Sequence, residues 1–179
     1  MAIQIFILSK LMEDNNYPYK LKKQLSEPIP LDQLGGLTES KLYYHFESLA
    51  KQGLVEQVEV IKEEHRPDKQ VFAITDKGRE ELPKKIYKLL ENAEDISDMV
   101  VGIANIRYVD RDRVLTILNK KSEHIRAQWM HIKDFEKKVE VDEENKNLVE
   151  FIGEYVTARV DHTIYWLEEL IKQIKQRKI

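Results

Sequence analysis

The sequence contains no cysteine. That excludes disulfides, thiolate metal sites and cysteine redox chemistry together, and it agrees with a reducing, cytoplasmic setting. It also lacks any run of about 18 apolar residues, so no transmembrane helix is expected. The N-terminal stretch MAIQIFILSKLMED is apolar but has no basic flank and no small-residue cleavage site. It reads as a first helix rather than a signal peptide. Glycine is scarce, at 6 of 179 residues, and no glycine-rich phosphate loop, nucleophile elbow or Cys/His dyad occurs. The five histidines, His45, His65, His124, His131 and His162, do not fall at ligand spacing. No catalytic residue, cofactor or metal site is therefore expected, and the chain does not read as an enzyme. A basic excess is missing too. The net charge is −3, with 14 Lys/Arg and 14 Asp/Glu in residues 1–88 and 15 and 18 in residues 89–179. Phosphate binding would need local clustering, because counterion release depends only on the cations in contact.

What is present is apolar periodicity. With 42% hydrophobic residues a buried core is feasible, and 34% charged residues suit long solvated helical faces. Ile3, Ile7, Leu8 and Leu11 recur at helical spacing over residues 2–13, and Asn15, Asn16 and Pro18 break that pattern. Residues 19–26 predict a second short helix. The segment 27–37, with two prolines and two glycines, predicts an irregular loop. From Thr38 a half-apolar helix runs to Gly53, with Leu42, Phe46 and Leu49 on one face and Lys41, Tyr44, His45 and Ser48 on the other. Thr38 suits an N-cap and Gly53 a left-handed C′ position. Residues 54–61 and 70–75 alternate and are rich in β-branched side chains, which predicts a hairpin with a wide polar tip. Thr75 predicts the cap of a further helix to about residue 81, with a kink or break at Pro83.

The second half reads as helical throughout: residues 96–107, then 111–139 capped by Asp110, then 145–177. The stripe of the first long helix is Val114, Leu118, Ile125, Trp129, Ile132 and Val139. That of the second is Leu148, Ile152, Tyr155, Trp166, Leu170 and Ile174. At 1.5 Å per residue these helices reach about 45–50 Å, too long for a compact monomer of this size, and they predict burial against a partner chain. Arg159 and His162 interrupt the last stripe, with Asp161 beside them. They read as an ion pair fixing register at a dimer interface, or as part of a ligand site lined by Trp129, Tyr155 and Trp166.

A helix followed by a hairpin in this order is a winged helix-turn-helix. The fold class expected is mainly α with a small β-hairpin: a winged helix-turn-helix DNA-binding domain over 1–88 and a C-terminal helical dimerisation domain over 89–179. Candidate DNA contacts are Thr38, Ser40, Lys41, Tyr43, Tyr44 and His45 on the recognition helix and Arg66 and Lys69 in the wing. A winged-helix module that binds protein without specific DNA binding is the alternative, given the neutral N-terminal half and acidic wing.

The same residues resemble the PadR family of bacterial transcriptional regulators. YPYKLKKQL is similar to that family's GY-(D/E)-(L/I)-x-x-x-L segment through Tyr19, Leu21 and Leu25. SKLYYHFESLAKQGLV resembles its recognition helix through Ser40, Leu42, Tyr43, Leu49, Gly53 and Leu54. Arg66-Pro67 resembles its G-R-P, AITDKGREEL its wing-closing Y-x-L-T-x-x-G-x-x-x-L, and RVDHTIYWLEEL, residues 159–170, the ending of a subgroup with a large C-terminal helical domain. Pro18 and His65 replace glycines of the pattern, and the wing has fewer basic residues. The resemblance implies a cytoplasmic homodimer held by the C-terminal helices together with the first helix. It implies an inverted-repeat operator read by two helices about 34–36 Å apart, repression, and release of double-stranded DNA by a small aromatic effector.

Overall fold

The computed structural model describes residues 1–25, 29–34, 40–62, 68–136 and 142–179; for Ser40, Lys41 and residues 134–136 it describes the helical backbone alone. The chain forms two compact units, Met1–Asp110 and Arg111–Ile179. The 88/89 division expected between domains falls inside a helix, α5 (Asp76–Asn92).

Unit 1 is built around α1 (Ala2–Glu13). Ile3, Ile5, Phe6, Ile7, Leu8 and Leu11 are all buried, so the helix is enclosed on every side rather than along one stripe. It packs against α4 (Ser40–Lys51), α5, α6 (Ile96–Ala104) and the strand β2 (Lys69–Ile74). Its apolar residues are used inside its own unit.

Between α1 and α4 lie α2 (Pro18–Lys23) and α3 (Leu31–Leu34). Pro18 starts α2 instead of merely ending α1. At the first helical position its missing N–H has no intrahelical acceptor to lose, and its φ is already helical. The irregular segment expected over 27–37 contains the one-turn α3, closed by bonds from the Gln33 and Leu34 amides to the Pro30 carbonyl at 3.1 and 2.9 Å. A proline just before a turn favours it for the same reason.

α4 ends as its sequence predicts. Gly53 has φ +68°. Its amide donates to Ala50 at 2.9 Å, and the Leu54 amide reaches back to Leu49 at 2.9 Å. This pair of bonds is a Schellman motif, and the buried Leu49 and Leu54 supply its apolar contact. The Lys77 ammonium donates to the Gln52 carbonyl at 2.8 Å, a cation at the negative end of the helix. The chain then enters β1 (Val55–Ile61), which pairs antiparallel with β2 from Val55↔Ile74 to Ile61↔Lys69, with a bulge between Gln57 and Glu59. Only Val55 of β1 is fully buried, whereas Val71, Phe72 and Ile74 of β2 are. The alternation in β1 therefore does not track burial. β2 is the inner strand: Phe72 also exchanges backbone bonds with Asn16 at 3.1 and 2.8 Å and sets its ring 4.9 Å from Phe46.

Thr75 caps α5, its hydroxyl accepting from the Gly78 amide at 3.1 Å. The break expected at Pro83 does not occur, and α5 continues to Asn92. A proline inside a helix costs about 3 kcal/mol. Burial of Leu82, Ile86, Tyr87 and Leu90 along that helix, at roughly 1.5–3 kcal/mol each, exceeds it. Asp95 and Asp98 form a capping box on α6.

Unit 2 comprises α7 (Arg111–Glu136) and α8 (Lys146–Lys175), which pack on one another, with Arg126 paired to Glu168. Val139 of the expected stripe lies outside the described residues. Burial in α8 is confined to Ile164, Leu167, Leu170, Ile171 and Ile174. The apolar residues of its first half, Leu148, Phe151, Ile152 and Tyr155, are 49–68% exposed. Trp166, expected to share a side with Leu170 and Ile174, is 44% exposed while they are buried. Hydrogen bonds first from Gln173 and then from Lys172 hold the Glu169 carboxyl below its ordinary range.

Two glycines test this packing by different physics. A Cβ on Gly53 meets nothing within 4 Å, so only its positive φ opposes substitution; one on Gly78 would sit 2.1 Å from the Leu54 carbonyl oxygen. Gly53→Ala should cost about 1 kcal/mol in urea unfolding. Gly78→Ala should cost about 3 kcal/mol despite alanine's better helix propensity. A Gly78→Ala protein as stable as the parent would contradict the close seating of α5 on the α4–β1 junction.

Candidate nucleic-acid interface

The surface that α4 offers is set by its apolar spacing. Leu42, Phe46 and Leu49 are 0–1% exposed, which turns the intervening residues outward. Tyr43 is 58% and Tyr44 68% exposed, so two adjacent phenols project from the second turn. His45 is half-buried and meets Tyr44 edge-on, centroids 5.2 Å apart. Ser48 is also half-buried and accepts from the Gln52 side chain at 3.1 Å. Ser40 and Lys41 form the first turn of α4. Thr38 and Arg66, both expected contacts, lie outside the described residues, as does most of the hairpin tip. Lys69 begins β2 and holds its ammonium 5.3 Å from the centroid of the Tyr17 ring, tying the loop end of the hairpin to the start of α2.

Sequence reasoning overlooked α2 itself. It carries Lys20, Lys22 and Lys23 in six residues and packs on α4. Lys22 and Lys23 stand 5.8 and 5.2 Å from the ring centroid of Tyr19, which is 48% exposed, and Lys20 lies 3.6 Å from Asp14. The KLKK run was the available signal. Unit 1 as a whole carries 15 Lys/Arg and 19 Asp/Glu. The lysines of α2 are thus a local cluster on an acidic unit, the arrangement that phosphate contact requires here.

Residues 7–84 match the family model described as the transcriptional regulator PadR-like family. They span α1 from Ile7 through the helix-turn-helix and hairpin into α5. Over that segment, somewhat less than half of the chain, the protein is similar to the PadR-like family. Three solved structures are similar to the chain. Bacillus subtilis PadR in complex with operator DNA is 16% identical, with 97% of this chain and 99% of that chain covered and a TM-score of 0.43. The protein smu.1604c from Streptococcus mutans UA159 is 20% identical, covering 93% and 96%, with a TM-score of 0.43. A transcriptional regulator from Clostridium thermocellum, Cth-833, is 28% identical over 48% of this chain and 78% of that one, with a TM-score of 0.40. No curated protein matches the chain.

Within unit 1 the expected contacts divide. Tyr43 and Tyr44 are presented, His45 and Lys69 are half-buried, and the side chains of the remaining four are not described. The three residues expected around an aromatic ligand belong to unit 2. Trp129 is 7% exposed, with its indole N–H buried and without an acceptor among the described residues, and Lys133 is 5.0 Å from its ring centroid. Trp166 donates to His162 Nε2 at 3.0 Å. Tyr155 is 59% exposed and lies eleven residues before Trp166 on the same helix, about 16 Å along its axis. No helix among the described residues is long and apolar enough to cross a membrane.

The burial pattern separates presented residues from packed ones in a measurable way. Tyr43→Ala and Tyr44→Ala should each shift unfolding free energy by less than about 0.5 kcal/mol. Phe46→Ala should cost about 3–5 kcal/mol. A Tyr43 substitution as damaging as the Phe46 one would place that ring in the core.

Proposed function

We propose that the chain is a dimeric DNA-binding repressor whose α4 enters the major groove of an inverted-repeat operator. The outward pair Tyr43 and Tyr44 carries this reading, set on the second turn of a helix whose first turn holds Ser40 and Lys41. The N-terminal part of a recognition helix meets base edges. Lys41 is positioned in sequence to reach guanine or a phosphate, and the tyrosine hydroxyls suit phosphate oxygens. Lys22 and Lys23 on α2 add backbone contacts of the kind the first helix of such a motif makes, and Lys69, Arg66 and Thr38 remain candidate contacts by sequence.

The exposed apolar residues of α8 support the dimer. Leu148, Phe151, Ile152 and Tyr155 recur at helical spacing on one side of α8 and all lie open to solvent, with Met130 and Ile132 of α7 exposed as well. Contiguous apolar surface of this kind marks an interface rather than a solvated face. Two copies joined through unit 2 would set the two recognition helices at the spacing of an operator's half-sites. Release by a small aromatic ligand belongs to the same reading, with Trp129, Tyr155 and Trp166 as candidate contacts. Such a ligand acts only through different affinity for the DNA-competent and incompetent states.

Titration of promoter DNA from the protein's own operon should show affinity falling steeply with salt and a clear preference over random duplex. Lys41→Ala and Lys22→Ala should each weaken binding and reduce the salt slope by about one. Binding that ignores both salt and sequence would reject the reading in favour of a winged helix used on protein. Independently, Phe151→Asp should shift sedimentation from dimer to monomer, and a wild-type chain that sediments as a monomer would refute the dimer.

A further inference from the structure

Six residues of α8 fall on one line. Leu148, Ile152, Tyr155, Arg159, His162 and Trp166 follow one another at intervals of four, three, four, three and four. That is the repeat of a coiled-coil seam, about 27 Å long at 1.5 Å per residue. All six are exposed. The residues that α8 buries, from Ile164 to Ile174, lie about a third of a turn further round the helix. The seam and the face packed on α7 are therefore separate surfaces.

The size of the seam suits a partner chain. Between Leu148 and Trp166, seven large apolar side chains are 44–68% exposed. At about 150–250 Å² for a whole aromatic side chain, they leave on the order of 700 Å² of apolar surface on one chain. A stable interface takes about 800 Å² from each partner.

The order of residues along the seam identifies that partner as a second copy. Two copies running antiparallel about Thr157 set Leu148 against Trp166, Ile152 against His162 and Tyr155 against Arg159. Symmetry repeats the same three layers on the other side of the axis. Beside the seam, the small exposed Ala158 meets its own copy at the axis and Phe151 meets Tyr165. No two charges of one sign face each other. A parallel pair instead sets Arg159 on Arg159 and His162 on His162. The ion pairs of this helix join Glu168 to Arg126 and Lys172 to Glu169, and none among the described residues includes Arg159. Nothing in its own chain would relieve that repulsion. Sliding the antiparallel pair by one heptad sets Arg159 on His162 in one direction. In the other it carries Trp166 past the start of α8.

We propose that α8 pairs antiparallel with α8 of a second copy, and that Arg159 fixes the direction and register. Its guanidinium lies on the Tyr155 ring of the other copy, a cation–π contact. One polar group in an apolar seam selects the alignment and gives up some strength in doing so. The charge that breaks the apolar stripe of α8 thereby has a use. The proposal rests on the dimer of the functional reading and adds its direction, its register and the residue that sets them.

The lack of native cysteine makes the test direct, since an introduced thiol is unique in its chain. Full-length Leu148→Cys and Trp166→Cys proteins are mixed, allowed to exchange and oxidised with diamide. Ile152→Cys with His162→Cys repeats the measurement one layer further in. Each pair should give mainly the mixed covalent dimer. Leu148→Cys alone should stay uncross-linked, because its copies lie about 27 Å apart, far beyond the roughly 7 Å that a disulfide spans between Cα atoms. Adding Arg159→Leu should leave the dimer at least as tight by sedimentation and raise the Leu148→Cys self-cross-link roughly tenfold, as parallel pairs become allowed. Arg159→Lys should keep it low. A parent chain that sediments as a monomer overturns the dimer reading and this proposal together. A dimer whose Leu148→Cys chains join to themselves keeps the dimer and overturns the antiparallel seam. So does a dimer in which neither mixed pair cross-links, which places the contact on another face. Mixed cross-linking that Arg159→Leu leaves unchanged overturns the role of Arg159.

Discussion

Enclosure of α1 is the constraint on which unit 1 depends. Six apolar residues of one twelve-residue helix are buried against α4, α5, α6 and β2. At roughly 1.5–3 kcal/mol per side chain their gross burial is on the order of 10 kcal/mol, comparable with the whole net stability of an ordinary domain. The exposed ion pairs around it, such as Lys84 with Glu81, contribute at most about 1 kcal/mol each. The position of α4 therefore follows from hydrophobic contact with α1 and from the Schellman turn at Gly53, not from surface charge. That turn also aims β1, so one left-handed glycine links α4 to the hairpin beside it.

From this packing the interface inherits its form. A helix that buries Leu42, Phe46 and Leu49 must present the residues between them, and those are tyrosines rather than cations. The positive charge comes instead from α2, on a unit whose own balance is acidic. On the proposed reading, affinity for a polyanion would depend on where a few lysines sit, so a net charge of −3 does not exclude it.

Unit 2 shows the opposite case. The C-terminal half of α8 finds its partner within the chain, while the first half leaves Phe151 and its neighbours exposed. One helix so serves two kinds of burial, one satisfied by α7 and one that a second copy would satisfy. The polar residues Arg159 and His162 lie on the same side as the exposed set. His162 there accepts from Trp166, a contact within one helix that the expected inter-protomer ion pair did not include.

Apart from the one-turn α3 and the run of α5 past Pro83, the helices, the hairpin, the Thr75 cap and the C′ glycine were legible in the sequence, because each rests on interactions within a few residues: capping, periodicity and turn chemistry. Residues 2–13 and Ser40–Lys51 needed nothing more than apolar spacing. What the tertiary structure alone decided were matters of competition between distant groups. Burial of Leu82 and Ile86 carries α5 through Pro83, and Phe72 pairs with Asn16 to make β2 the inner strand. Local rules name the elements, but which faces are covered depends on contacts between segments far apart in the chain, and no window of sequence contains both sides of such a contact.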